Sequence, residues 1–299
     1  MRIVITGGLG YVGSVLLSNI WSNPEYDIVV LDDCRSGGLS YVPYMEHLHL
    51  QTNTLAEGKI PEIVASADVL IHLAATVGFP ACQKNVEESY KNNTALTKAL
   101  CESVNKNCHV IFASTTSVYG NIDGANEEST CFAPSEYATQ KLIAEQYVKT
   151  IQKYTILRFS TAFGLSPNFR QDLLPHTLVI SALKQKYIAL FESGAVRSFV
   201  HVNDMAECIN FAIEEQVYGT FNIGSNNNQI TKKDLAVLIQ EYTGCSIFEG
   251  NFGNDPEQRF NQVCYDKAVQ AGFPINTSLR KGVRALIKYA PIYLNERTE

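Results

Sequence analysis

A doubly wound parallel α/β sheet with a smaller, interleaved C-terminal α/β domain is the fold class predicted here, and three observations predict it. Short apolar runs bounded by turn residues recur at residues 3–6, 28–31, 69–74, 110–114 and 155–159. Stretches with helical spacing, at 13–21, 86–104 and 137–150, lie between them. The first run ends in a glycine-rich turn, TGGLGYVG, that leads directly into the first helical stretch. Runs that are apolar throughout suit strands covered on both faces, and strand–helix alternation is what parallel strands with crossover helices require.

After Gly164 the pattern loosens. SPNFRQDLLP carries two prolines before helical spacing resumes at 176–185. The run RSFVHVNDMAECINFAI predicts a strand feeding a helix that returns to the first domain, and GTFNIGS predicts another strand end. At 231–244, Thr231 is placed to cap a helix, Asp234 suits its first turn, and Gly244 suits the left-handed residue at its end. The expected organisation is residues 1–164 as one domain, with 198–224 returning to it, and 165–197 with 225–299 as the second.

Composition is that of a globular chain: 299 residues, 45% apolar, 18% charged. A formal net charge of −6 argues against a nucleic-acid surface, which is normally basic. The eight cysteines (34, 82, 101, 108, 131, 208, 245 and 264) are scattered, with no CxxC pair and no metal-ligand spacing. They read as reduced thiols, and no metal is expected. Met1-Arg2 runs straight into a short strand without the apolar core of a signal peptide, and no apolar run is long enough to cross a bilayer. A cytoplasmic protein with no membrane partner is the expectation.

The glycine turn reads either as GxGxxG through Gly8, Gly10 and Gly13, or as GxxGxxG through Gly7, Gly10 and Gly13. Either reading, between a strand and a helix, is a Rossmann-type phosphate loop: the glycines let the backbone turn, approach a pyrophosphate and pack the helix on the strand. Asp32 follows Gly13 by nineteen residues, near the place of the carboxylate that binds the adenosine ribose. It favours NAD, because Asp32 and Asp33 would repel a 2′-phosphate. NADP stays open through Arg35, which would partly offset that charge.

Of fifteen tyrosines only Tyr137 has a lysine four residues on, and helical spacing places Tyr137 and Lys141 on one face. Alone, such a pair reads equally well as a surface contact. Twenty-two residues earlier, FASTTSVYG closes a predicted strand, bringing Thr115 to the sheet edge where ligands bind in this architecture. A phenol with an ordinary pKa near ~10 becomes a usable base when a cation favours its ionised form, and Lys141 supplies that cation. Tyr137 would then take a hydroxyl proton as hydride leaves the same carbon, with Thr115 bonding the oxygen.

TGGLGYVG, LDD, DVLIHLAA, STTSVYG, the YATQK segment and RSFVHVND resemble, in order, the motifs of the extended short-chain dehydrogenase/reductase family, in particular its NAD-dependent epimerase/dehydratase members. The resemblance implies Thr115, Tyr137 and Lys141 as the catalytic set, with Lys141 on the nicotinamide ribose. It implies Tyr11 and Val12 in the phosphate loop, and Leu73, Ala74 and Ala75 along the ribose and nicotinamide. Asn93 stands where the family has an asparagine before a helix. Asn53, with Thr54 beside it, replaces an aspartate near the adenine.

The departures bear on chemistry. Family dehydratases carry acidic residues between the catalytic threonine and VYG; here Thr116 and Ser117 stand there, which disfavours dehydration. The RYFN segment reads Arg158-Phe159-Ser160-Thr161, putting Thr161 at the asparagine's place among substrate contacts. Arg197 and Arg259 resemble diphosphate-binding arginines, and a guanidinium fork suits phosphate. Asp172 is expected to meet Arg170, a base amine or a sugar hydroxyl, because an unpaired carboxylate beside a diphosphate is costly. His201 fits a strand–helix junction better than catalysis. The expected reaction is NAD-dependent epimerisation of a nucleotide-diphosphate sugar through a transient 4-keto intermediate. A 4-ketoreductase using exchangeable NADH or NADPH needs the same three residues, while a non-catalytic dinucleotide sensor would not need them. Pairing into a homodimer through 86–104 and 137–150 is a further expectation from the family.

Overall fold

The computed structural model describes residues 1–36, 48–52, 60–251, 253 and 262–295. In chain order it begins with β1 (Arg2–Thr6), α1 (Tyr11–Ile20), β2 (Asp27–Asp32), β3 (Leu48–Thr52), β4 (Val69–His72), α2 (Phe79–Lys84) and α3 (Val86–Tyr90). A π-helical turn, Lys91–Ala95, joins α3 to α4 (Leu96–Ser103), followed by β5 (His109–Thr115), α5 (Glu136–Val148) and β6 (Lys153–Phe159). Then come β7 (Thr161–Phe163), α6 (Leu174–Lys184), β8 (Tyr187–Leu190), β9 (Val196–His201), α7 (Val202–Glu214) and β10 (Gly219–Ile223). The chain ends with β11 (Gln229–Thr231), α8 (Lys232–Thr243), β12 (Ser246–Glu249), α9 (Asp266–Gln270) and α10 (Leu279–Asn295).

Among the described residues the large sheet is parallel throughout, in the order β3-β2-β1-β4-β5-β6-β10. Its strands are continuous apolar runs because both faces are covered. In β1, Ile3 and Ile5 face a core shared with α1 and α7, while Val4 faces a second core beneath α4 and α5. The order reverses direction between β1 and β4, so the C-terminal ends of β1, β2, β4 and β5 open on one crevice, the place where this architecture binds ligands.

The later segments depart from simple alternation. β7 leaves the large sheet and pairs with β9, which pairs antiparallel with β11; β8 and β12 form a separate parallel pair. β9 lies in the small sheet, α7 packs on α1, and β10 pairs with β6 in the large one. A third core, under α6, α8 and α10, holds the small sheets together. Thr231 caps α8, accepting from Asp234 N, and Gly244 takes the left-handed conformation at its end.

One helix differs from its expected form. Spacing over 86–104 predicts an uninterrupted helix, whereas the π turn interrupts it, with Asn93 inside that turn rather than ahead of a helix. Asn93 is buried and bonds out to neighbouring segments, while Thr97 Oγ1 returns a 2.7 Å bond to the Asn93 carbonyl. These side-chain bonds accompany the widened turn.

Candidate active site

The glycine turn between β1 and α1 fits the Gly7, Gly10, Gly13 spacing. Gly7 has φ +69°, and a Cβ there would lie 2.6 Å from the Ala74 nitrogen. A Cβ on Gly13 would lie 2.5 Å from the Gly8 carbonyl oxygen. Any side chain at either place collides with backbone, whereas Gly8 faces a Val30 methyl group. Gly10 opens α1 with no side-chain cap, leaving the helix N-terminus to be capped by an anion. Val12 packs on the core. Tyr11 is buried and donates to the Gly164 carbonyl at 2.8 Å, so its hydroxyl holds the later lobe.

Asp32 ends β2, buried, and accepts from Leu9 N at 2.9 Å and Cys34 N at 2.8 Å. Burial pushes its carboxyl above the usual range, opposed by those two backbone bonds. Each carboxylate oxygen keeps acceptor capacity beyond one such bond, so the group can also take ribose hydroxyls. Arg35 lies 2.6 Å from Asp33 and 3.0 Å from Glu88. Its cation is therefore compensated by two carboxylates, which leaves this end of the crevice adverse to a 2′-phosphate. Asn53 and Thr54 lie outside the described residues.

After β4, Leu73 N bonds the Thr6 carbonyl at 3.0 Å and Ala74 N bonds Thr6 Oγ1 at 3.3 Å, fixing the chain through Ala75 beside the glycine loop. The glycines, the uncapped helix end and the Asp32 carboxylate together fit a dinucleotide.

β5 delivers Thr115 to the same edge, and a short 3₁₀ turn, Thr116–Tyr119, follows. Thr115 Oγ1 accepts from Ser117 N at 3.1 Å, which leaves its proton to be donated away from the chain. Ser135 caps α5, accepting from Ala138 N at 3.2 Å, and α5 then carries half-buried Tyr137 and, one turn later, Lys141. Lys141 is 2% exposed; Nζ donates to the Ala113 carbonyl at 2.8 Å and sits 4.6 Å from the Phe112 ring centroid. Burial pulls its pKa down to about 8, opposed by the negative charge available from Cys82 and Glu145. A cation buried beside β5 with a neutral carbonyl for partner is suited to stabilising a phenolate formed one helical turn away.

Two buried networks brace this set. Asn93 accepts from Thr76 N at 2.7 Å and donates to Thr76 O at 2.9 Å and Gln140 Oε1 at 2.9 Å, tying the loop after β4 to α5. Asn93, expected among the cofactor contacts, thus bonds Thr76 and Gln140 of its own chain. Glu145, fully buried, receives Arg158 Nε at 2.9 Å, Arg158 Nη2 at 2.6 Å and Ser114 Oγ at 2.6 Å. Arg158 also donates to Tyr119, which donates to Asn222. Glu145 is not among the residues the motifs single out, yet the sequence carries a signal for it: a carboxylate four residues beyond Lys141, on the same helix face, and an arginine inside the apolar strand ILRF.

Of the residues expected to meet the substrate, Thr161 opens β7, and Arg197 lies buried in β9. Arg170 makes two bonds to Asp172, at 3.0 and 2.5 Å, meeting the expectation for that carboxylate. The guanidinium draws Asp172 below the usual carboxylate range, and Arg170 lies within electrostatic reach of both Tyr11 and Tyr137. His176 braces the loop, bonding Gly164 N at 2.9 Å and the Arg170 carbonyl at 2.5 Å. His201 caps α7. Arg259 lies outside the described residues. Cys82 is buried, with Sγ on the Thr76 carbonyl at 3.2 Å.

A sequence profile of the family described as "NAD dependent epimerase/dehydratase" matches residues 3–224. The Bacillus subtilis (strain 168) protein named "Uncharacterized UDP-glucose epimerase YtcB" is 26% identical, covering 97% of this chain and 98% of that protein. The UDP-glucose 4-epimerase of Halalkalibacterium halodurans is 28% identical, covering 83% of this chain and 82% of that one. The crystal structure of UDP-glucuronic acid 4-epimerase from Bacillus cereus, in complex with UDP-glucuronic acid and NAD, aligns with TM-score 0.87 at 24% identity. It covers 98% of this chain and 100% of that one, a likeness of fold.

Proposed function

The chain belongs to the NAD-dependent epimerase/dehydratase family, and we propose that it inverts a sugar carbon of a nucleoside-diphosphate sugar at C4, through a transient 4-keto intermediate. The relatives support a uridine diphosphate sugar. The observation that carries this reading is Lys141 buried against the Ala113 carbonyl, one turn beyond Tyr137 and two strand positions from Thr115.

Gly7, Gly10 and Gly13 hold the pyrophosphate of NAD, with Asp32 on the ribose and Leu73 to Ala75 along its nicotinamide end. Bound NAD supplies a hydride acceptor that becomes the hydride donor for the return step. Thr115 donates a hydrogen bond to the C4 oxygen and orients it. Tyr137, as phenolate, takes the C4 hydroxyl proton, and Lys141 stabilises that phenolate by charge. Once the keto sugar has turned over in the pocket, the Tyr137 phenol returns its proton to the new oxygen. Thr116 lines the sugar. Thr161, Arg170, Arg197 and Arg259 hold the diphosphate and sugar. With no carboxylate at 116 or 117, the chain lacks at those positions the acid and base that water loss requires.

Residues 1–164 with 198–224 serve the cofactor, and 165–197 with 225–299 serve the substrate; α7 packing on α1 and β10 joining the large sheet support the return, while β7 and β9 pair in the small sheet and so belong with the core shared by α6, α8 and α10. The enzyme pairs through α3, α4 and α5, where Val86, Tyr90 and Ile143 are exposed apolar side chains. It works in the reducing cytoplasm, in keeping with eight free cysteines.

The test is Tyr137→Phe against the parent enzyme, assayed for C4 inversion of UDP-sugars without added cofactor. The expected result is a loss of turnover of about 10³-fold or more, with the protein-bound NAD retained after purification. Turnover within tenfold of the parent would remove Tyr137 as the base. Sedimentation velocity reads the dimer.

A further inference from the structure

His72 ends β4 beneath the phosphate loop, 2% exposed, and no step above uses it. Its Nδ1 lies 2.7 Å from Thr6 Oγ1 and its Nε2 lies 2.9 Å from Thr97 Oγ1. Each threonine has one hydroxyl proton, and the neighbours fix where it goes. Thr97 Oγ1 gives its proton to the Asn93 carbonyl at 2.7 Å, so it must accept from His72, which places the ring proton on Nε2. Thr6 Oγ1 accepts from Ala74 N at 3.3 Å and gives its own proton to His72 Nδ1. The chain therefore runs one way: Ala74 N–H to Thr6 to His72 to Thr97 to the Asn93 carbonyl. Hydrogen bonds aligned head to tail polarise one another, and an interruption leaves buried groups unpaired.

Both ends of the chain lie at the site. Ala74 is the residue whose backbone touches Gly7. Asn93 sits in the π turn and holds Gln140, the residue before Lys141. The ring is also packed against Phe112, centroids 5.5 Å apart, and Phe112 carries Lys141 Nζ over its face. Burial, aided by the Lys141 charge, pulls the imidazole pKa down to about 3, so the ring is neutral near pH 7.

We propose that His72, locked as its Nε2–H tautomer, is a positioning residue that sets the cofactor-binding backbone at Ala74 in register with the helix carrying Tyr137 and Lys141. The proposal rests on the reading of Gly7 and Ala74 as cofactor contacts, and it predicts a geometric role: His72 touches neither substrate nor the reacting carbon.

Two measurements on the full-length holoenzyme test it. In protein carrying ¹⁵N-histidine, assigned against His72→Gln, the His72 ring should show Nε2 protonated and Nδ1 unprotonated, unchanged from about pH 5 to about pH 9. In Thr97→Val, which removes one hydroxyl at nearly constant volume, kcat should fall about tenfold, the equivalent of one hydrogen bond's worth of alignment, with KM and NADH affinity within about twofold. Thr97→Ser should restore kcat. An Nδ1–H or titrating ring, or a Thr97→Val enzyme whose kcat is unchanged, overturns the proposal. A parent enzyme without epimerase activity would instead count against the function proposed above, and the ring signature would still decide the chain.

Discussion

Lys141 and Arg158 are two cations buried in one layer, between α5 and the strands β5 and β6, and the protein treats them in opposite ways. Arg158 is gripped by Glu145 through two bonds, at 2.9 and 2.6 Å. Burial alone would lower its pKa, but the hydrogen bonds and charge of Glu145 outweigh that and hold it above its ordinary value. Lys141 has a neutral carbonyl and a ring face for partners, and its pKa falls to about 8. Glu145 stands one helical turn from Lys141, yet its oxygens are engaged by Arg158 and Ser114. The difference teaches that one carboxylate serves both ends: by locking Arg158 it leaves Lys141 without an ion-pair bond to it, as the proposed stabilisation of a phenolate would require.

The sharpest way to break this comparison is to remove the Lys141 cation. Lys141→Met should lower turnover by about 10³-fold, in the upper part of the range for acid–base assistance, while Tm holds or rises, because a desolvated charge leaves the core. A fall of less than tenfold would mean that the phenolate draws its stabilisation elsewhere. The pH behaviour carries a sign. As pH rises through about 8, Lys141 loses its proton and kcat should decline. Stability moves the other way: the folded pKa lies below the ordinary lysine value, so between about 8 and 10.5 the unfolded chain binds more protons and this group's contribution to stability rises with pH.

Next in size is the locked cation. Glu145→Leu leaves Arg158 buried and uncompensated, which should cost about 3–5 kcal/mol and lower Tm by about 10 °C. Glu145→Leu with Arg158→Met should recover most of that, because the charge leaves with its partner. Calorimetry of the two variants reads the interaction directly. A double variant no more stable than the single one would show that the pair contributes through packing and hydrogen bonds to Ser114 and Tyr119 rather than through charge.

The same contrast explains what the amino-acid sequence reveals. Tyr137, Lys141 and Thr115 are legible because their relations are local: a helical spacing, a strand end, a loop of glycines between strand and helix. For the Glu145–Arg158 pair the sequence shows the two charges, one on the Lys141 face of α5 and one inside an apolar strand, but not their meeting across α5 and β6; of the His72 chain, which joins β1, β4 and the π turn, spacing along one element carries no trace. The π turn itself is hidden for the same reason, since the bonds Asn93 makes run to Thr76 and Gln140, distant in the chain. The switch of β7 and β9 into a small sheet is equally nonlocal, because short apolar runs look alike whichever sheet receives them.

A second charge pair, nearer the surface, sharpens the comparison at its weak end. Arg170 and Asp172 meet at 2.5 Å, closer than Arg158 and Glu145, yet the Asp172 side chain is 67% exposed. Water competes for both groups, and such pairs contribute about 0–1 kcal/mol. Asp172→Asn should therefore shift Tm by no more than about 3 °C. The guanidinium it frees lies within electrostatic reach of Tyr137 and should favour the phenolate, moving the acidic limb of the kcat profile to lower pH. If Asp172→Asn instead costs as much stability as Glu145→Leu, short distance rather than burial sets the strength of these pairs, and the contrast between Lys141 and Arg158 would need a different cause.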